Sequence, residues 1–348
     1  MQASRPPRPA TEPSVDDGPG AARSLSGLGR RLLVPVLLAI LALVGLALYG
    51  DARQVAANLR SFDLSVVPAV LAFSLANYAL RFVRWHLYLR RLDLRLPIGR
   101  SLLVFLVGFV LTITPGKVGE LGKAWLVREL GGGPARRAVA AVVAERLTDL
   151  LGVFALACLG SLAFPGMAVV AWLGLAATVA ATLLLAWPAF VSRAVAALER
   201  VPRLAGRLSI LLDIQDQLRR LLGAVPLVTG VALAVAAWGA EGLGFALVVG
   251  VYSPEASWLA GVFNYSLASL AGGLAMLPGG LVATEGVMTA LLGAQGIAPA
   301  AAASATILVR VATLWFAVLL GLLALPPTLA LLRRTESAAE AEREAAVR

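Results

Sequence analysis

Apolar runs long enough to cross a lipid bilayer recur along the whole chain. A crossing takes about 20 apolar residues in helical conformation. The runs cover residues 32–49, 64–89, 134–164, 167–187, 223–251 and 298–325. Of the 348 residues, 59% are hydrophobic and 14% are charged, whereas a soluble domain keeps about a quarter of its residues charged. The sequence therefore predicts an all-α polytopic membrane helix bundle with about six full transmembrane helices.

Two further apolar segments are interrupted by proline and glycine. Residues 102–114 would rise only about 20 Å as a helix, which is short of the roughly 30 Å hydrocarbon core. A Pro-Gly pair begins at Pro115, directly after this segment. Residues 258–277 end at a Pro-Gly-Gly triplet that begins at Pro278, and residues 281–292 continue the apolar stretch. We therefore predict two re-entrant broken helices beside the full spans.

The distribution of Lys and Arg orients these segments, because cytoplasmic loops carry an excess of both. Basic clusters occupy residues 5–31, 81–100, 117–137, 193–220 and 333–334. No basic residue lies between Arg220 and Arg310. This pattern predicts a multi-pass protein of the cell membrane with both termini in the cytoplasm. It also predicts that the two broken helices enter the membrane from opposite faces.

The polar parts of the chain are short. Residues 1–30 are rich in Pro, Gly and Arg and predict a disordered cytoplasmic tail. Residues 31–332 form the predicted transmembrane domain, and residues 333–348 form a second cytoplasmic tail. Within the domain, the basic and amphipathic residues 191–222 predict two short interfacial helices on the cytoplasmic side, broken near Pro202.

The two breaks resemble each other, because each follows an apolar half-helix and precedes a glutamate. The residues that form them are Pro115, Gly116, Gly119, Pro278, Gly279 and Gly280. Opposed broken helices in two halves are typical of an inverted-repeat transporter. Half-helices that begin at such breaks direct free N–H groups and a positive dipole end toward the membrane centre, which favours an anion. The alternative is that the Pro-Gly pairs only kink long helices.

Charged residues inside apolar segments are the candidate substrate-binding residues, since charge at membrane depth is costly. The candidates are Lys117, Glu120, Lys123, Glu145, Arg146, Asp149, Glu285 and Arg310. The only two lysines of the chain, Lys117 and Lys123, both follow the first break and suit a lipid phosphate. The alternative is a structural ion-pair network that fixes the helices together, particularly for Asp149 and Glu241.

Several other functions are disfavoured by composition. With one cysteine and one histidine, the chain offers neither a disulfide framework nor a His/Cys metal cluster. We predict no catalytic residue, metal site or cofactor. The net charge of +10 comes from arginines that flank apolar spans, so we expect membrane lipids as partners and not nucleic acid.

Three sequence motifs resemble those of the lysylphosphatidylglycerol synthase transmembrane region family. They are TPGKVGELGKAWLVREL after the first apolar half-helix, AAVVAERLTDLLG in the long helix that follows, and LPGGLVATEG at the second break. The resemblance covers roughly residues 30 to 330 and implies a flippase-like membrane domain in a stand-alone form. The chain departs from the family pattern at Val282, where a second glycine is usual, and at Thr284, where an arginine is frequent. Bifunctional relatives carry a soluble aminoacyl-transfer domain, for which this chain has no room.

The resemblance implies that lipids move between the two leaflets. The expected function is thus a lipid flippase or transporter for an anionic phospholipid or a polyprenyl-linked lipid. One alternative is a membrane enzyme that acts on a lipid phosphate. Another is a non-catalytic partner of lipid- or glycan-synthesis enzymes. The lipid, the direction, the energy source and the oligomeric state stay open at this point.

Overall fold

The structure, a computed structural model, describes residues 28–112, 119–162, 168–198 and 205–347. Within these ranges the chain is helical and has no β-strand. The helices are α1 (Leu28–Tyr49), α2 (Ala52–Arg60), α3 (Val67–Arg91), α4 (Ile98–Leu111), α5 (Gly122–Glu129), α6 (Ala135–Gly160), α7 (Ala168–Ala186), α8 (Pro188–Leu198), α9 (Ala205–Leu221), α10 (Ala224–Tyr252), α11 (Trp258–Leu274), α12 (Ala283–Ala294), α13 (Pro299–Arg310) and α14 (Phe316–Val347). The predicted helical polytopic bundle is thereby confirmed.

Four helical stretches in the described residues are long and apolar enough to cross a membrane. They are Leu64–Arg91, Ala168–Ala186, Ala224–Tyr252 and Pro299–Ala338. A fifth would result if Leu37–Tyr49 and Ala52–Arg60, which meet at a bend of 100°, formed one span. Helix α6 has sufficient length but carries Glu145, Arg146 and Asp149 at its centre. The count of six full spans therefore stays a prediction.

The outer surface of the bundle is apolar. Helix α7 shows this most clearly, because Val169, Leu173 and Leu183 expose 67%, 66% and 62% of their surface. A soluble monomer rarely exposes a contiguous apolar face of this kind. These side chains therefore face lipid, and the chain is an integral membrane protein.

Close helix packing surrounds the centre of the bundle. Helix α3 packs along α10, which also contacts α6 and α11, and α14 packs along α4. Glycines allow this approach: a Cβ at Gly152 would lie 2.8 Å from Ala234, and one at Gly160 would collide with Phe263. Small residues let helix backbones approach closely, which is how helices associate inside membranes.

Two parts of the chain have the same order of elements. In the first, α4 is followed by residues 113–118, α5 and α6; in the second, α11 is followed by the 3₁₀ turn Pro278–Gly280, α12 and α13. Arg146 is the twelfth residue of α6, and Arg310 is the twelfth and last of α13. The first predicted break lies outside the described residues. Entry of the two parts from opposite membrane faces stays a prediction.

The segment predicted to lie at the interface contains two helices, α8 and α9. The predicted break near Pro202 falls outside the described residues. Helix α9 packs against α6, with Arg136 Nε 2.9 Å from Asp213 Oδ2. The second predicted tail is helical as far as Val347, because α14 continues through it. Residues 1–27, most of the predicted N-terminal tail, also lie outside the described residues.

A polar cavity beside the second helix break

A cavity of about 110 Å³ lies where the ends of α4 and α11 meet the second break. The lining comes from α3, α4, α6, α10, α11, the break, α12, α13 and α14. Its side chains and glycines are Tyr78, Arg81, Phe109, Thr112, Arg146, Trp238, Glu241, Tyr265, Ser269, Gly272, Gly273, Gly279, Gly280, Thr284, Arg310, Thr313, Leu314 and Ala317. Four of these residues are charged, inside a bundle whose exterior is apolar.

The backbone at the break adopts conformations that favour glycine. Gly279 and Gly280 have φ of 61° and 66°, a left-handed region that costs glycine little. Gly280 also lies against Gly272 of α11: a Cβ on Gly272 would collide with Thr284 Oγ1 and come within 3.3 Å of the Gly280 Cα. Val282 has φ of 71° and ψ of −51°, which is strained for a β-branched residue. The turn is thus fixed in place by direct contact with α11.

Arg310 connects the break to the helix that follows it. Its Nε lies 2.6 Å from Glu285 Oε1, and its Nη2 donates to the carbonyl oxygen of Gly279 at 2.9 Å. One guanidinium can make both contacts because its donors are held in a planar fork. Arg310 therefore holds the start of α12 and the break together at the wall of the cavity.

Arg146 makes the corresponding contact in the first half. Its Nε lies 3.2 Å from Glu120 Oε2, and its Nη2 lies 3.0 Å from Asp149 Oδ2. Glu120 lies in the turn just before α5, as Glu285 lies in the first turn of α12. In both halves, a glutamate that follows the break pairs with an arginine on the next long helix. The arginines line the cavity, whereas Glu120 and Glu285 contact the arginines without lining it.

Asp149 is the centre of a buried network. Besides Arg146, its carboxylate contacts Arg84 Nη2 at 2.5 Å and accepts a hydrogen bond from Trp238 Nε1 at 3.0 Å. Arg84 also donates to Thr148 Oγ1 at 3.1 Å. Asp149 therefore joins α3, α6 and α10, and it forms ion pairs with two arginines at once.

Lys123 and Glu145 form a pair away from the cavity. Their Nζ and Oε2 atoms lie 2.5 Å apart, and both side chains are almost completely buried. The ammonium group of Lys123 also lies 4.2 Å from the centre of the Trp85 ring. Neither residue lines the cavity, so the structure places them as a link between α5 and α6.

The candidate residues thus separate into three groups. Arg146, Arg310, Gly279 and Gly280 line the cavity, while Glu120, Asp149 and Glu285 pair with its arginines. Lys123 and Glu145 pair with each other, and Pro278 is buried in the break. Gly119 begins the turn before α5. Pro115, Gly116 and Lys117 lie outside the described residues.

Sequence reasoning missed Tyr78, Arg81, Trp238 and Tyr265 as cavity residues. Arg81 was assigned to a cytoplasmic basic cluster, but it lies ten residues before the end of α3 at Arg91. At 1.5 Å per residue, this is about 15 Å of helix. That distance was the signal in the sequence that Arg81 lies well inside the helix and not at its cytoplasmic end. Glu241 was expected in an ion pair, but it has no cation within 4.0 Å in the described part of the chain. It accepts a hydrogen bond from Tyr265 at 2.6 Å instead.

Residues 32–321 match the family described as the lysylphosphatidylglycerol synthase TM region. The chain belongs to this family. Membership in the lysylphosphatidylglycerol synthase TM region family makes it an integral membrane domain related to lipid metabolism or transport. Among curated proteins, no sequence matches the chain. Of the two departures from the family pattern, Thr284 lines the cavity, and Val282 is the strained residue before α12.

Proposed function

We propose that this protein moves a lipid with a phosphate-bearing headgroup between the leaflets of the membrane, and that the cavity receives the headgroup. The observation that carries the proposal is a charged cavity beside a helix break, enclosed by helices whose outer faces are apolar. Irregular backbone at membrane depth is tolerated where it is buried or lines a polar cavity. A headgroup needs such a polar route, because it is costly to carry through hydrocarbon.

The local electrostatics at the break favour an anionic group. Helix α12 begins at Ala283, next to the cavity, and no side chain among the described residues caps its N-terminus. The first N–H groups of a helix and its dipole attract anions. Arg81, Arg146 and Arg310 also present guanidinium groups to the cavity, and guanidinium binds phosphate through parallel hydrogen bonds.

An apolar cleft close to the cavity offers a surface for acyl chains. It has a volume of about 350 Å³ and is lined by apolar side chains of α3, α10, α13 and α14, including Val70, Val248 and Leu319. The π turn Val311–Trp315 contributes residues to both spaces, with Leu314 lining the cavity and Trp315 the cleft. A lipid could therefore keep its tails in an apolar environment while its headgroup enters the cavity.

The test is a leaflet-resolved lipid assay with purified protein in liposomes. We expect phosphate-containing lipids to cross faster than in protein-free vesicles. Arg310→Lys keeps the charge but cannot hold Glu285 and the Gly279 carbonyl at once, so it should slow crossing by about tenfold or more. The control is Arg219→Lys, the same exchange at a half-exposed position of α9, which should leave the rate unchanged.

Two results would count against the proposal. One is that lipids cross no faster than in protein-free vesicles, and the other is that Arg310→Lys matches the unmodified protein. Release of headgroup or phosphate into solution, measured on the same vesicles, would indicate a lipid-cleaving enzyme instead.

A further inference from the structure

The charged side chains in and around the centre of the bundle are balanced in number, but two of them lack an ion-pair partner within 4.0 Å among the described residues. Four cations pair with four carboxylates in the described residues. These are Arg84 and Arg146 with Asp149, Arg146 with Glu120, Lys123 with Glu145, and Arg310 with Glu285. The two that remain are Arg81 and Glu241, and both line the cavity.

Arg81 contacts aromatic rings where the other cations contact carboxylates. Its guanidinium carbon lies 5.6 Å from the centre of the Trp238 ring and 5.8 Å from that of Phe109. Its Nε is buried, and no hydrogen-bond acceptor reaches it in the described part of the chain. The rings orient the guanidinium through cation–π attraction but do not neutralise it. Arg81 is therefore available to an anion that enters the cavity.

Glu241 is the matching carboxylate on the facing helix. It lies on α10, which packs along the α3 helix that carries Arg81. The residue is only 5% exposed, and Tyr265 Oη donates to its Oε2 at 2.6 Å. A neutral hydroxyl donor satisfies part of its hydrogen-bonding capacity but does not balance its charge. Glu241 is therefore available to a cation in the same cavity.

We infer that the transported headgroup carries both a phosphate and an amine, of the phosphoethanolamine type, with the phosphate on Arg81 and the ammonium on Glu241. This inference rests on the proposed function. A headgroup with phosphate alone would pair with Arg81, but it would leave the buried Glu241 carboxylate without a cation and repelled by the phosphate. A headgroup with both groups pairs with both residues and leaves the charge of the cavity unchanged, so no buried charge stays uncompensated.

The test compares two lipids with identical acyl chains in the same liposomes, one with a phosphoethanolamine and one with a phosphoglycerol headgroup. We expect the unmodified protein to move the phosphoethanolamine lipid about tenfold faster, a difference of about 1.4 kcal/mol in activation free energy. Glu241→Gln still accepts the Tyr265 hydrogen bond but loses the charge, so it should slow this lipid alone and abolish the preference. Arg81→Gln should slow both lipids, and Arg81→Lys should restore part of the rate.

The outcomes separate the inference from the proposed function. Movement of neither lipid above the protein-free rate overturns both. Movement of both lipids without preference, or with preference for phosphoglycerol, overturns the inference and leaves the proposed function standing. A preference that survives Glu241→Gln overturns the assignment of the amine to Glu241.

A binding measurement on the unmodified protein tests the inference without any variant, so its result does not depend on whether the variants fold. Water-soluble short-chain versions of the two lipids are added to the protein in detergent micelles, and the shift in Tm is recorded. A larger shift with the phosphoethanolamine version supports the inference. Equal shifts overturn it.

Discussion

The ammonium group of Lys123 lies 2.5 Å from a carboxylate oxygen of Glu145, and both side chains are at most 5% exposed. Their attraction joins the short helix α5 to α6, which also carries Arg146. The pair therefore fixes the first broken element against the helix that supplies one cavity arginine. A charge pair at this depth is stable only while both partners are present, because each alone would be an uncompensated buried charge.

We expect Lys123→Met alone, or Glu145→Leu alone, to lower the free energy of unfolding by about 3 to 5 kcal/mol. The double variant should recover much of this loss, because it buries no charge. Unfolding of the purified protein in detergent micelles measures all three. Asp213→Asn is the control, since it removes the exposed pair with Arg136 and should cost no more than about 1 kcal/mol. If the double variant loses as much free energy of unfolding as the two single variants together, the stabilising pairing of Lys123 with Glu145 is contradicted.

Gly272 and Gly286 provide a matched pair of glycine-to-alanine exchanges. A Cβ at Gly272 would collide with Thr284 Oγ1 and press on the Gly280 backbone, whereas one at Gly286 would meet no atom of the described residues within 4 Å. We expect Gly272→Ala to destabilise the protein by about 1 to 3 kcal/mol through overpacking. Gly286→Ala should stabilise α12 by up to about 1 kcal/mol. Tm in micelles measures both, and equal effects would argue against the close contact of α11 with the break.

The positive φ of Val282 predicts a stabilising exchange to glycine. Val282→Gly should raise the free energy of unfolding by about 1 kcal/mol, because glycine adopts φ of 71° without a clash of its side chain. Val287→Gly is the control: it lies inside α12, where glycine should cost about 1 kcal/mol or more. A loss of stability with Val282→Gly would show that the valine side chain contributes more than its backbone strain costs.

Matched single cysteines test the predicted entry of the two halves from opposite faces. Pro134 and Ala298 each precede the first residue of an equivalent helix, α6 and α13, and both are exposed. In a Cys158→Ala background, Pro134→Cys and Ala298→Cys leave one thiol each. We expect a membrane-impermeant maleimide to label them from opposite sides of the membrane. Labelling of both from the same side would exclude an inverted repeat.

The sequence was sufficient for the helical class, the family and most cavity arginines, because those depend on hydrophobic length and on rare buried charge. It was not sufficient to predict which charged side chains pair with each other. Glu145 could have paired with Lys117, Lys123 or a more distant cation, and only the packing of α5 on α6 selects Lys123. Arg81 was misplaced because a run of nearby arginines marks a membrane interface statistically, although the depth of each residue depends on its position along the helix. The rings of Phe109 and Trp238 that orient Arg81 come from α4 and α10, far from it in the chain.

The π turn Val311–Trp315 joins two parts of one long helix that are attached to different neighbours. Before the turn, Arg310 holds Glu285 and the Gly279 carbonyl. After it, Gly321 lies so close to α4 that a Cβ would be 2.7 Å from the carbonyl oxygen of Leu106. The two broken elements can therefore shift relative to each other only if the helix between these attachments bends. Helices bend readily at π turns, so we expect this turn to be the joint about which one broken element moves against the other.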